Sequence, residues 1–274
     1  KEARSGGRTY LSHLLGTSVA FVLPAMIYCY WKKGGDINFT DGSLLTTNID
    51  SGAGLILLLA FTFGFAKNGL MPFHSWLPNA MVAPTPVSAL LHAVAVVKVG
   101  VFCVIRVFTG VFGIDLLREL NVAVVVSWVA AFTVITSSLI ALTQDNLKRR
   151  LAFSTIGQLS YIILGVSLLT SLGVTGSILH VAMHAFGKIT LFFCAGAIYV
   201  SMHKKYVSEL VGIGRKMPIT MTAFAIGSLS VIGLPVTGGL VSKWYLVMGT
   251  AESGQIALLV VFLISSILNA CYFL

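Results

Sequence analysis

Acidic side chains are scarce in this sequence and missing from its apolar runs. Nine Asp and Glu stand against eighteen Lys and Arg in 274 residues, and all nine acids fall in loops or at the ends of apolar segments. Charged residues of both signs make up 10% of the chain, where a soluble domain carries about one quarter. One large soluble core would need many more surface charges, which excludes that class. The four cysteines, Cys29, Cys103, Cys194 and Cys271, lie within apolar segments and form no CxxC or CxxCH. Disulfides, c-type haem and iron–sulfur clusters are therefore unsupported. A GxSxG elbow, a Walker sequence and a GxGxxG after a strand are also missing, so no self-contained active site and no cofactor are expected. No stretch interleaves basic with aromatic residues, so the net charge of +9 does not point to nucleic acid.

What is abundant is apolar: 57% of residues are hydrophobic and the mean hydropathy is +0.93. A membrane-spanning helix needs about 20 mostly apolar residues. On that measure the sequence predicts eight spans, near 9–31, 52–71, 85–109, 120–142, 151–170, 174–200, 218–249 and 255–274. The expected fold is all-α, a polytopic transmembrane bundle in a lipid bilayer. Lys1–Arg8 followed by an apolar run mimics a signal peptide, but the run is too long and has no small-residue cleavage site. With Lys1 first and an apolar run reaching Leu274, the chain is expected to be one part of a longer protein.

Loop charges sort by side. Lys1, Arg4, Arg8, Lys148, Arg149, Arg150, Lys204, Lys205, Arg215 and Lys216 fall on one face. Lys32, Lys33 and Arg118 share the other with Asp36, Asp41, Asp50, Asp115, Glu119 and Glu252. That bias places the N-terminus on the cytoplasmic or equivalent side.

Three spans are interrupted. The second leads into KNGLMPFHSWLP with Pro72, the third opens APTPVS with Pro84 and Pro86, and the seventh contains GLPVTGG with Pro235. Proline removes a backbone donor, and the freed carbonyls in a bilayer need neighbours or water, so broken helices commonly line a cavity. A simple kink against packed neighbours is the alternative for any one proline. One proline with three glycines in seven residues favours real unwinding at GLPVTGG.

The basic residues, unlike the acids, do enter the apolar spans: Lys67, Lys98, Lys188, Lys243, His92, His180 and His184 all do so. A lysine at mid-bilayer costs about 2.5–3.5 kcal/mol, and such residues normally face a bundle interior or a hydrated ion path. Snorkelling to the interface is the competing reading for Lys67 and Lys243, beside breaks. It is weak for Lys98 and Lys188, deep in their segments. With no carboxylate in the spans, either these lysines are partly neutral or their acidic partner lies outside the chain.

His180, His184 and Lys188 fall at i, i+4 and i+8, along one helical face about 6 Å apart. One water spans such a gap, and imidazole takes a proton on one nitrogen while releasing one from the other. The pattern predicts a proton wire. Zinc is the rival for H-x-x-x-H, but a zincin needs Glu beside the first His, where Val181 stands, and no third ligand is evident; no metal is expected. Interhelical hydrogen bonding by both histidines is the bland alternative.

KNGLMPFHSWLPNAMVAPTPVSALLHA, DNLKRRLAFSTIGQLSYIILG, HAFGKITLFFCAGAI and GLPVTGGLVSKWYL together resemble the antiporter-like subunits of respiratory complex I and of Mrp-type sodium/proton antiporters. The resemblance implies about fourteen helices in two inverted five-helix repeats, each with a broken helix. This chain would supply helices six to thirteen: residues 1–115 the last three of the first repeat, residues 116–274 the whole second repeat. It implies that Lys67 matches the lysine at the break of the seventh helix, and that Lys98 and His92 match eighth-helix positions. His180, His184 and Lys188 match the eleventh-helix stripe, and Lys243 the broken twelfth helix. The glutamate that family members pair with the seventh-helix lysine would precede Lys1. The implied function is proton translocation in a complex I-like or Mrp-like assembly with other membrane subunits, coupled to electron transport or to sodium or potassium exchange. A structural subunit that serves assembly without conducting ions is the alternative.

Overall fold

The computed structural model describes residues 2–35, 44, 45 and 49–273, with the backbone alone at Glu2, Ala3 and His92. Of the charges used above for sidedness, Lys1, Asp36 and Asp41 lie outside the described residues. Among those residues there are helices and no named strand.

The first apolar run forms one 29-residue rod, Arg4–Lys32. It comprises α1 (Glu2–Thr17), a π-helical turn (Ser18–Val22) and α2 (Leu23–Lys32). Pro24 stands in the first turn of α2. It has no N–H for the regular ladder, and the π turn just before it absorbs that loss.

The second run is shorter as a helix than its apolar length predicts. α3 (Ser51–Gly64) starts where the Asp50 side chain accepts from Gly52 N at 3.0 Å and ends at Phe65. The chain then makes a 3-10 turn (Ala66–Asn68) that carries Lys67, and Pro72 lies in the irregular stretch before α4 (Trp76–Asn79). Pro84 and Pro86 open the third run rather than interrupting it: Pro84 caps α5 (Thr85–Ala89) and Pro86 sits in its first turn. A π turn (Leu90–Val94), α6 (Val96–Arg106) and a second π turn (Val107–Phe112) follow. The carbonyls freed at that last turn are taken by a passing segment, Leu44 N donating to Gly110 O and Leu45 N to Val111 O. α7 (Ile114–Leu120) then departs at 80°.

α8 (Ala123–Thr143), α9 (Leu147–Ser167) and α10 (Ser171–Met202) are long and uninterrupted. Every residue from Leu151 to Ser167 is buried, which makes α9 the central post against which α8, α10, α4, α6 and α13 pack. After the short α11 (Ile213–Lys216), the seventh predicted span is two helices, α12 (Pro218–Ile232) and α13 (Gly238–Glu252). The break between them holds Pro235, with Gly233 at φ +87° and Val236 at +74°. A β-branched residue in the left-handed region marks true unwinding. α14 (Ile256–Phe273) closes the bundle on α8. Among the described residues, four helices are long and apolar enough to cross a membrane alone, or five with the bent pair counted.

In lipid, helix association comes from close packing, which small residues permit. A Cβ on Gly249 would lie 2.4 Å from Gly173 N, so α13 and α10 touch backbone to backbone. A Cβ on Gly100 would meet Asn68 N at 2.4 Å and the Lys67 carbonyl carbon at 2.5 Å. The break that carries Lys67 thus rests on α6. Gly100→Val should therefore destabilise by about 2 kcal/mol or more through overpacking. Val99→Ala, at an exposed neighbour, should cost under about 1 kcal/mol. Thermal unfolding of the purified variants compares the two.

Candidate functional site

Three helices bring the in-span cations of the third, sixth and seventh runs together around α9. Lys98 comes from α6, His180, His184 and Lys188 from α10, and Lys243 from α13. All five are buried, Lys188 completely. Every carboxylate whose side chain is described (Asp50, Asp115, Glu119, Asp145, Glu209 and Glu252) is exposed. The one ion pair among the described residues is Arg118–Asp115, at the surface.

With no described carboxylate within reach, each cation has another partner. Lys98 Nζ hydrogen-bonds to His184 Nδ1. Lys188 Nζ donates to Leu151 O at 3.2 Å and lies 5.1 Å from the centre of the Phe273 ring. Lys243 Nζ donates to Ile232 O at 2.8 Å and lies 5.1 Å over Tyr161. Ile232 is the last residue of α12, so the break presents Lys243 with the carbonyl end of a half-helix, the negative end of its dipole.

The imidazoles of His180 and His184 stack with centroids 5.9 Å apart, and Tyr161 lies 6.0 Å from His180. His180 Nε2 is 2.9 Å from Gln158 Oε1, and its Nδ1 is 2.9 Å from Ser242 Oγ. Gln158 Oε1 can only accept, so Nε2 donates. The Ser242 hydroxyl has two acceptors in range, His180 Nδ1 and Gly239 O, the latter at 3.1 Å. When the imidazole is neutral, Ser242 donates to Nδ1. When it is protonated, Nδ1 donates to Oγ and the hydroxyl turns to Gly239. Both charge states of His180 are thus hydrogen-bonded without any backbone movement. Two further polar atoms, His184 Nε2 and Gln158 Nε2, are buried without a protein hydrogen bond among the described residues. Groups of this kind are normally satisfied by water.

Two residues singled out from the sequence stand apart. Lys67 is half-buried on its 3-10 turn, near Cys103. The side chain of His92 lies outside the described residues, although its backbone falls in the π turn before Lys98. Conversely, Gln158, Ser242, Tyr161 and Asn269 were not singled out. Asn269 Nδ2 lies 3.5 Å from Tyr161 Oη, and Tyr272 Oη donates to Ser154 Oγ at 3.0 Å, which extends the polar interior toward α14. The available signal was an amide in an otherwise apolar run, as in STIGQLSYII and SSILNACYF. Among the described residues no group of three His, Cys, Asp or Glu could hold a metal.

A helical bundle with apolar spans, broken helices and a cation-lined interior defines an integral membrane protein. The chain belongs to the NADH:quinone oxidoreductase/Mrp antiporter, TM family, whose model matches residues 1–269. It is 38% identical over 265 residues to NADH-quinone oxidoreductase subunit N of Desulforudis audaxviator, covering 95% of this chain and 52% of the relative. Subunit M of the same kind of enzyme from Rickettsia prowazekii is 33% identical over 256 residues, covering 93% of this chain and 51% of that protein. Among solved structures, a chain of the membrane-bound sulfane sulfur reductase, an archaeal respiratory membrane complex, superposes with a TM-score of 0.86 at 28% identity. That match covers 99% of this chain and 55% of the other. A chain of the Mrp complex from Dietzia sp. DQ12-45-1b gives 0.85 at 25% identity, covering 98% and 49%. The chain therefore spans about half the length of these relatives.

The His180 pocket generates a stability test. Gln158→Leu strands a buried N–H and should cost about 1–3 kcal/mol. Adding His180→Phe removes the stranded donor and should recover part of that loss. The coupling is read from unfolding of both single variants and the double.

Proposed function

We propose that the chain is part of a proton-translocating membrane subunit of a complex I-like or Mrp-like assembly. The observation that carries this reading is the direct Lys98–His184 contact inside a buried cation cluster that no described carboxylate enters. A proton can pass between an amine and an imidazole with small displacement of heavy atoms, and His180 is hydrogen-bonded in either charge state. Water-sized steps connect the two imidazoles. Lys98, His184, His180, Lys188 and Lys243 form the working path, with Lys67 and His92 as its extension toward the preceding part of the protein. A change of charge elsewhere in the complex alters how tightly each lysine holds its proton, because like charges share one interior of low dielectric. Electron transport or cation exchange would supply that change.

The positive-inside bias supports an N-terminus on the cytoplasmic or equivalent face. The break at Lys67 and the break before Lys243 support a division near residue 115 into the end of one repeat and the whole of a second. Partners are other membrane subunits, protons and, in an exchanger, sodium or potassium. A purely structural role is favoured by the interhelical serine contacts, Ser127–Ser167 at 2.8 Å and Ser138–Ser265 at 3.3 Å.

Lys98→Met and Lys188→Met in the full-length protein of the native complex, reconstituted in vesicles, separate the two roles. Loss of ΔpH formation by about 100-fold or more from a fully assembled complex is expected, the usual scale for removing a proton-transfer group. Normal proton flux in both variants, or failure of assembly with normal flux per assembled complex, returns these residues to structure.

A further inference from the structure

A cavity on the basic face lies outside the cation cluster. It encloses about 1110 Å³ where the start of α1, the Pro84–Pro86 turn, the first turn of α9 and the last turns of α10 meet. Its walls differ in chemistry. Phe193 and Val200 give an apolar side and are largely exposed. Lys148, Arg149, Lys204 and Lys205 give the other side, and among the described residues no Asp or Glu lines it.

Backbone pairing fixes the basic side. Asn146 and Tyr206 form an antiparallel bridge, Leu147 N donates to Lys205 O at 3.0 Å, and Val207 N donates to Asp145 O at 2.8 Å. The N-terminus of α9 is thereby held beside the loop after α10. Lys148 Nζ and Lys205 Nζ then lie 5.9 Å and 5.1 Å from the centre of the same Tyr199 ring. Burial and the Lys205 ammonium lower the Lys148 ammonium from its ordinary value. The neighbouring acids are engaged elsewhere. Asp145 accepts from Ser208 N at 3.0 Å and from its hydroxyl at 2.8 Å, and Glu209 accepts from the backbone N–H groups of Lys205 and Tyr206. Two ammonium groups thus share one aromatic ring, with no described carboxylate paired to either.

We propose that this cavity binds the headgroup of an acidic phospholipid, its phosphate between Lys148 and Lys205 and its acyl chains along Phe193 and Val200. Clustered cations select an anion, and the adjoining apolar wall selects one that carries a hydrocarbon tail. Basic pockets between transmembrane helices on the cytoplasmic side are suited to such headgroups. The site depends on the chain lying in a membrane and not on proton transfer, so the two readings can fail separately.

The test uses the full-length protein in its native complex, purified and stripped of lipid in detergent. It is titrated with dioleoylphosphatidylglycerol, with dioleoylphosphatidylcholine and with inorganic phosphate, while the unfolding midpoint and retained lipid are followed. A saturable rise in midpoint with phosphatidylglycerol alone is expected. Lys148→Gln combined with Lys205→Gln should weaken it about 30-fold, at roughly fivefold per charge. Lys32→Gln with Lys33→Gln, at the far end of the first helix, should leave it unchanged. If the double variant does not assemble, Lys205→Gln alone, at an exposed position, should weaken binding about fivefold. Equal stabilisation by phosphatidylcholine overturns the proposal. So do the same shift with inorganic phosphate, unaltered affinity in the lysine variants, or no binding because a partner's acidic segment fills the cavity.

Discussion

Five cationic or protonatable groups share one interior with no described carboxylate beside them, and much of the bundle is arranged around that constraint. At an effective dielectric of about 20, two unit charges 4 Å apart repel by about 4 kcal/mol. The structure spreads the burden over weaker acceptors: an imidazole for Lys98, a carbonyl and an aromatic face for Lys188, and a carbonyl and an aromatic face for Lys243. The broken helix follows from this need. A continuous helix would keep Ile232 O within its own ladder, whereas the unwound stretch after it leaves that carbonyl to Lys243. Gly233 is confined by the same side chain, since a Cβ there would meet Lys243 Cδ at 2.8 Å.

α9 makes the arrangement specific. Buried from Leu151 to Ser167, it supplies Gln158 to His180, the Leu151 carbonyl to Lys188 and the Tyr161 ring to Lys243. Gln158 and Ser242 leave His180 hydrogen-bonded whether neutral or charged, whereas a carboxylate would bias it toward the cation.

Much of the architecture was legible from hydropathy, because spans are long and apolar for a reason that needs no tertiary knowledge. The seventh run was the instructive case: 218–249 is long enough for one span, yet GLPVTGG separates it into α12 and α13. The second run was overextended, since the apolar residues after Gly64 continue through a 3-10 turn and irregular backbone. The π turns, including the one before Pro24, are not legible in hydropathy, because a π bulge changes register without changing it. Within the site, ionisable residues announced themselves by their cost in an apolar run. Of their neutral partners only the amides Gln158 and Asn269 stand out in apolar runs; Ser and Tyr are tolerated in helices for many reasons, and only the meeting of α9, α10 and α13 marks Ser242 and Tyr161. The helical spacing placed His180, His184 and Lys188 on one face but could not reveal that Lys98 reaches His184 from another helix.

The Lys98–His184 contact is where two separate runs of the chain meet, so it carries the most weight. The decisive measurement is proton flux into vesicles by the intact native complex carrying His184→Phe in the full-length protein, normalised to assembled complex. Phenylalanine preserves the ring's bulk and removes both nitrogens. Flux reduced by about 100-fold or more with assembly unchanged is the predicted result. Flux equal to that of the unsubstituted complex would contradict a relay through this pair.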